Sequence, residues 1–212
     1  MGFEDEVWWS RLAHPALHAW APPDRPLRLV AQTVAKDDPD PKALACYGLL
    51  VRWWDAGPAG PRHEAAWLRF VDGRPVSAVT TRFLGWCTDR LAAAGKTALL
   101  LVWDNAAWHL SKEVRAGIRA HNRAVRATGR GVRLVPCPLP IKSPWLNPIE
   151  AKWVHAKRRV VEPDRLRSAQ ELAARVRAAF ACPHEPHLTV HDDLDKAACE
   201  CTRASGAACH RA

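Results

Sequence analysis

The sequence of 212 residues lacks any long hydrophobic run, and this excludes an ordinary membrane-spanning helix. A span needs roughly 18 to 20 consecutive apolar residues, whereas the apolar stretches here are short. A secretory leader is also missing, because Glu4, Asp5 and Glu6 stand where its apolar stretch would be needed. We therefore expect a cytoplasmic protein that does not bind a membrane.

A disulfide framework is also missing. The seven cysteines are odd in number, and Cys46, Cys87 and Cys137 lie in apolar stretches where a buried thiol is the usual state. From Cys182 onward the hydrophobic pattern fails, and the remaining cysteines and histidines have no recognised metal-ligand spacing. The sequence predicts a disordered tail over residues 182–212.

Acidic residues are in deficit, with 22 Asp and Glu against 31 Lys and Arg, for a net charge of +9. Arginine supplies 23 of the 31 basic residues. A polyanion such as nucleic acid is the natural partner of this charge, although a GC-rich coding sequence produces the same excess of arginine.

The first segment, GFEDEVWWSRL, alternates as a β-strand does. With a period of two, Phe3, Asp5, Val7 and Trp9 share one face. The other face carries Glu4, Glu6 and Trp8. A carboxylate on an apolar face is rare unless it is paired or binds a metal, so Asp5 is either a strand-edge residue or part of a site.

The remaining pattern predicts a single α/β domain over residues 1–181. Further strands are predicted at residues 27–34, 43–54, 98–104 and 132–136. Helices are predicted from Val76 to Gly95, from Ser111 to Thr128, from Asn147 to Pro163 and from Ser168 to about Ala181. The first three strands suggest an antiparallel meander. This order of elements is that of a ribonuclease-H-like fold, a mixed five-stranded sheet with flanking helices.

The stretch SPWLNPIEAKW, residues 143–153, has two possible explanations. Asn147 suits a helix N-cap, Pro148 suits the first helical position, and Glu150 stands where the acid of a capping box reaches back to the cap. Alternatively, Glu150 is a metal ligand.

Two motifs support the second explanation. VWDNAAWH, residues 102–109, and SPWLNPIEAKW resemble the second- and third-acid motifs of DDE superfamily endonucleases, the catalytic domains of mariner-like insertion-sequence transposases. FEDEVWW resembles the strand of the first acid. The resemblance covers roughly residues 3–162. The gap of 45 residues between Asp104 and Glu150 is wider than in the most compact members, and we interpret the excess as loop.

The resemblance implies that Asp5, Asp104 and Glu150 are catalytic and hold Mg²⁺, for which Mn²⁺ can substitute. Hydrolysis of a phosphodiester places charge on the attacking and leaving oxygens, and two ions about 4 Å apart can stabilise both. Asp5 and Asp104 would share the ions and Glu150 would complete one of them. Water would be the first nucleophile and a DNA 3′-hydroxyl the second.

The same motifs contain four candidates for positioning the substrate. These are Asn105, His109, Trp145 and Asn147. Each also has a structural explanation: Asn105 could bond the backbone at the strand end, and His109 could help to start the next helix. Trp145 could stack on an extruded base or pack under its loop.

A basic stretch follows the third acid, and it is either a solvated helix face or a surface that contacts DNA phosphates. It comprises Lys152, Lys157, Arg158, Arg159, Arg165 and Arg167. The implied partner is double-stranded DNA, bound by a homodimer. Transposases of this kind recognise the DNA ends with an N-terminal helix-turn-helix region. Because the first catalytic strand begins so close to Met1, the chain resembles the catalytic half alone, which is made by joining two reading frames, works beside a separate helix-turn-helix chain or is a decayed remnant.

Two alternative functions remain open. One is a catalytically silent, DNA-binding remnant of a transposase, in which the fold persists without activity. The other is a ribonuclease-H-like host nuclease, which shares the metal chemistry but does not explain the SPWLNPIEAKW motif.

Overall fold

The structure, a computed structural model, describes residues 1–13, 23–24, 33–54, 62–161 and 166–189. The strand predicted at residues 27–34 lies outside the described residues except for 33 and 34, which are not in a strand. Pro163, Arg165 and residues 190–212 also lie outside them.

The centre of the domain is a mixed sheet of five strands. They are β1 (Gly2–Ser10), β2 (Ala43–Trp54), β3 (Arg62–Val71), β4 (Ala98–Trp103) and β5 (Arg133–Pro138). The strand order is β3-β2-β1-β4-β5. The first three strands pair antiparallel, whereas β4 pairs parallel with both β1 and β5. This confirms the predicted sheet and places β1 at its centre.

Four helices cover the two faces of the sheet. They are α1 (Ser77–Ala93), α2 (Lys112–Thr128), α3 (Pro148–Val160) and α4 (Ala169–Ala179). Buried residues of α1 and α2 belong to one hydrophobic cluster, and buried residues of α3 and α4 belong to a second cluster. The sheet therefore lies between two helical layers. Among the described residues, no helix combines the length and apolar composition that crossing a membrane requires.

The helix ends follow the local signals of the sequence. Ser111 caps α2 by accepting from Val114 N, and Gly129 ends it with φ 65°. Ser168 and Glu171 form a complete capping box at the start of α4, where the sequence predicted that this helix begins. Local chemistry therefore explains where these helices begin and end.

The third strand of the meander is β3, which the sequence analysis missed. Its sequence, RHEAAWLRFV, is charged and rich in alanine, and it has a single β-branched residue. It nevertheless pairs with β2 over ten positions at the edge of the sheet. Backbone pairing with a neighbouring strand therefore outweighs a weak intrinsic preference.

Residues 182–189 contradict the prediction of a disordered tail that begins at residue 182. Leu188 is buried, its N–H donates to Phe70 O at 2.7 Å, and its carbonyl accepts from Asp72 N at 2.9 Å. This short segment bonds to the end of β3, so the folded domain extends beyond residue 181.

The cysteines differ in burial. Cys46 in β2 and Cys87 in α1 are buried, as predicted, but Cys137 in β5 is exposed. The prediction for Cys137 is therefore wrong.

Candidate metal and nuclease site

Three acidic residues that are distant in sequence come together at one end of the sheet. Phe3 and Val102 are partners in the parallel pair of β1 and β4, and Asp5 and Asp104 each lie two residues further along. Glu150 stands in the first turn of the neighbouring helix α3. The parallel register and one helix start therefore assemble the three predicted acids.

Asn147 holds helix α3 in this position. Its side-chain amide donates to the backbone carbonyl of Glu4 at 2.9 Å, and its side-chain oxygen accepts from Ile149 N at the start of the helix. Asn147 is only 3% exposed. Its side chain therefore caps α3, as the sequence indicated, and fastens the first turn of the helix to β1.

The carboxylates of this site repel one another. Burial and then the charge of Glu150 raise the pKa of Asp5 to about 7. Burial and then the charge of Asp104 raise the pKa of Glu150 above its ordinary value. In contrast, the hydrogen bond from His109 holds the pKa of Asp104 below its ordinary value. At neutral pH the site thus concentrates negative charge that a cation would relieve.

One oxygen of Asp5 is already engaged. The indole Nε1–H of Trp153 donates to Asp5 Oδ2 at 2.9 Å, and both side chains are buried. Trp153 lies three residues after Glu150 in α3, so the same face of the helix carries both. Gly48 of β2 is the cross-strand partner of Asp5 and leaves room for the indole.

His109 connects the site to the opposite face of β1. Its Nδ1 lies 2.9 Å from Asp104 Oδ1, and its Nε2 lies 3.0 Å from Glu6 Oε1 and 3.1 Å from Glu4 Oε2. The ring stacks on Trp103 with a centroid distance of 4.7 Å. Glu4 and His109 are almost fully buried.

This arrangement favours a charged imidazole. Burial by itself lowers the pKa of His109, but the charge of Glu4 and the hydrogen bonds to Asp104, Glu4 and Glu6 outweigh it and raise this pKa to about 12. Burial, followed by the charge of Glu6, raises the pKa of Glu4 to about 8. The positive charge of the His109 imidazolium therefore offsets the negative charge of carboxylates on both faces of β1.

The structure excludes one of the two explanations of Glu150. In a capping box, the carboxylate would accept from the backbone N–H of Asn147, but that N–H donates to Pro144 O at 2.8 Å. Asn147 and Pro148 occupy the expected cap and first helical positions. Glu150 takes no part in the cap, and its carboxylate instead interacts with Asp5 and Asp104.

Two further candidates differ in their surroundings. The side-chain amide of Asn105 donates to Leu139 O at 2.6 Å, so its alternative role at the strand end is confirmed. Trp145, in the short 3₁₀ turn Pro144–Leu146, is 74% exposed. Packing of Trp145 under its loop is therefore wrong, and its ring is free to meet a partner.

The basic residues after Glu150 do not form one uniform surface. Lys152 pairs with Glu64 at 2.7 Å, and the charge of Lys157 acts on Glu150. Arg158 and Arg159 are exposed on α3. Arg167 is only 9% exposed, so it does not belong to an exposed basic face as predicted.

The donor set of the site fits a hard divalent cation. Carboxylate oxygens are the ligands that Mg²⁺ prefers, and Asp5, Asp104 and Glu150 supply them from three separate elements. Glu4, Glu6 and His109 form a second group whose ligand atoms lie within 4.8 Å of one another. The imidazole of His109 already supplies positive charge to that second group, whereas Lys157 is the cation whose charge acts on Glu150.

Sequence reasoning had missed Trp153, Gly48 and the roles of Glu4 and Glu6. A glycine inside the apolar stretch ALACYGLLVRWW was a usable signal, because glycine within a strand often marks a close approach by another group. The contacts of Glu4 and Glu6 had no comparable signal, since they depend on where His109 lies.

The mixed sheet, with acids beside two neighbouring parallel strands and on an adjoining helix, defines a ribonuclease-H-like domain with a candidate nuclease site. The sequence profile of the DDE superfamily endonucleases matches residues 61–173, just over half of the chain, including Asp104 and Glu150. The chain belongs to this family.

Solved structures of Mos1 share the fold. The Mos1 strand transfer complex matches with a TM-score of 0.51 and 16% identity, over 86% of this chain and 47% of the Mos1 chain. The Mos1 transposase paired-end complex with the left transposon end matches with a TM-score of 0.54 and 15% identity, over 86% and 48%. The chain thus spans about half the length of these relatives. A search of the curated proteins found no match.

Proposed function

We propose that the chain is the catalytic domain of a DNA transposase that cleaves phosphodiester bonds and transfers strands with the help of Mg²⁺ or Mn²⁺. The convergence of Asp5, Asp104 and Glu150 carries this proposal, because one buried and two half-buried carboxylates that repel one another suit a divalent cation. Membership of the endonuclease family supports the same chemistry.

Each acid has a distinct setting for this reaction. Asp5 is oriented by the indole N–H of Trp153, and Asp104 is oriented by His109 and by the backbone N–H of Ala106. Glu150 approaches from α3. A bound divalent cation would supply Lewis-acid stabilisation of charge on the attacking and leaving oxygens of the phosphodiester. The residues themselves hold that cation and orient the scissile phosphate beside it.

We propose double-stranded DNA as the substrate. Beside the acids, Lys157, Arg158 and Arg159 present positive charge on α3, and Trp145 presents an exposed aromatic face. These are the groups that contact phosphates and unstacked bases. A homodimer would handle the two DNA ends.

The test is metal-dependent nicking of supercoiled DNA by wild type and by Glu150→Gln. Glu150 takes no part in the helix cap, so the substitution should leave the free energy of unfolding within about 1 kcal/mol of wild type. A neutral amide is a poor Mg²⁺ ligand, so nicking should fall by about a hundredfold or more.

Glu171→Gln is the matched control, because Glu171 occupies the same third helical position in α4 and caps that helix. Its nicking rate should equal that of wild type. A folded Glu150→Gln protein that nicks DNA as fast as an active wild type would refute the proposed triad. A wild type that binds DNA and never cuts it would favour the silent remnant.

A further inference from the structure

We infer that Trp153 is a positioning residue that holds the Asp5 carboxylate in one orientation, and that Gly48 provides the space in which it does so. This inference rests on the proposed function, because it concerns how the first acid of that site is held. It adds two residues that contact neither the DNA nor the reacting atoms.

The first support is the geometry of the contact. Trp153 Nε1 lies 2.9 Å from Asp5 Oδ2, inside the protein, between residues 148 positions apart in sequence. An indole N–H has no other hydrogen-bonding capacity, and an unpaired buried donor is costly. The contact therefore fixes both partners.

The second support is how the indole itself is held. Its ring packs edge-on against Trp9 at a centroid distance of 6.0 Å and against Phe180 at 5.0 Å. Trp153 is 2% exposed. Aromatic neighbours on β1 and beyond α4 thus leave the ring little freedom, and the N–H direction is set before any cation arrives.

The third support is Gly48. It lies directly opposite Asp5 in the antiparallel pair of β1 and β2. A Cβ atom there would lie 2.5 Å from Cζ2 of Trp153 and 2.9 Å from Cδ1 of Ile149. Contacts this short do not occur, so any side chain at residue 48 would push the indole away from Asp5.

The consequence concerns the cation. A carboxylate whose orientation is fixed in advance loses less freedom when it binds a metal, and partners of this kind are typically worth ten- to a hundredfold in metal affinity or activity. Helix α3 therefore supplies both the third acid and the residue that orients the first.

Trp153→Phe separates this role from simple packing, because phenylalanine keeps an aromatic ring and removes the donor. Calorimetry with Mn²⁺ and DNA-free protein should show a dissociation constant about ten- to a hundredfold above wild type. Trp86→Phe is the matched control, since it makes the same change of ring in α1, against the hydrophobic cluster on the other face of the sheet. Its Mn²⁺ affinity should stay within about threefold of wild type, which is smaller than the weakest effect expected of an orienting partner.

Gly48→Ala provides an independent test of the inference. In wild type it should weaken Mn²⁺ binding as Trp153→Phe does. In the Trp153→Phe background, Gly48→Ala should weaken Mn²⁺ binding little further, because the smaller ring no longer reaches the added methyl group. Additive losses in Mn²⁺ affinity would mean that Gly48 and Trp153 act separately, which would overturn the inference.

The outcomes also separate this inference from the proposed function. If wild type binds no Mn²⁺, the proposed function and this inference both fail. If wild type binds Mn²⁺ and Trp153→Phe binds it equally well, only the inference fails. If Trp153→Phe does not fold, the inference is tested instead by NMR, with the assigned resonance of the Trp153 indole N–H in metal-free wild type. It should exchange slowly and shift in Asp5→Asn, and a resonance unaffected by that substitution would overturn the inference.

Discussion

His109 Nδ1 lies 2.9 Å from the Asp104 carboxylate, and through this contact the candidate site is joined to the charged interior on the other face of β1. The Nε2 atom of the same ring faces Glu4 and Glu6. One imidazolium thus orients a site acid and neutralises buried acids behind it, so its loss should affect stability as well as activity.

We expect His109→Leu to lower the free energy of unfolding by about 3 kcal/mol, because it leaves the buried Glu4 and Glu6 without their cation. Denaturant unfolding in metal-free buffer measures this. Adding Glu4→Gln should recover part of the loss, since it removes a buried carboxyl group that has lost its imidazole partner. Equal stability of His109→Leu and wild type would show that the imidazole is not the compensating charge.

Mn²⁺ should raise the thermal stability of wild type, because a cation that binds only the folded state adds about 2.7 kcal/mol at a hundred times its dissociation constant. Asp104→Asn should remove most of this gain. Glu113→Gln, an exposed acid in the first turn of α2, should keep it. An identical rise in melting temperature for all three proteins would place the bound Mn²⁺ elsewhere.

The stability of the metal-free protein should fall as pH rises from about 4 to about 7. Asp5 has an ordinary pKa near 3.9 when unfolded and about 7 in the folded protein. Across this window the folded state binds more protons than the unfolded state, so a rise in pH favours unfolding. Glu4, with its pKa raised to about 8, adds to the same trend.

Asp5→Asn isolates the contribution of Asp5 to this trend. Its unfolding free energy should decline less than that of wild type between pH 4 and pH 7, as measured in urea. Saturating Mn²⁺ should also flatten the wild-type profile, because the cation favours the ionised carboxylate. If wild type and Asp5→Asn decline in parallel without metal, Asp5 titrates normally.

Trp145→Ala should leave stability within about 0.5 kcal/mol of wild type, because the ring is mostly exposed. It should weaken binding to single-stranded or distorted DNA by about 1 to 3 kcal/mol if the ring stacks on a base. Trp54→Ala, an exposed tryptophan at the end of β2, is the control and should bind as wild type does. Equal affinities measured by fluorescence anisotropy would remove Trp145 from the DNA surface.

Local patterns in the sequence were enough to predict several parts of the molecule. Alternation in GFEDEVWWS predicted β1 and the face of Asp5, and capping residues predicted the starts of α2 and α4. The buried run ALLLVW predicted β4, which leads to Asp104. These features depend on residues within a few positions of one another, so they can be predicted from the sequence.

Only the tertiary structure decided how the acids are held. Asn147 bonds the Glu4 carbonyl across 143 positions, and that contact brings Glu150 beside Asp5. The structure also shows that Glu150 does not cap its helix, because Pro144 O accepts the hydrogen bond from the Asn147 N–H that a capping box would use. The sequence by itself determined which side chains could serve a metal site and on which elements they stand. Their mutual orientation depended on strand register and helix packing between distant segments, and no local pattern specifies those contacts.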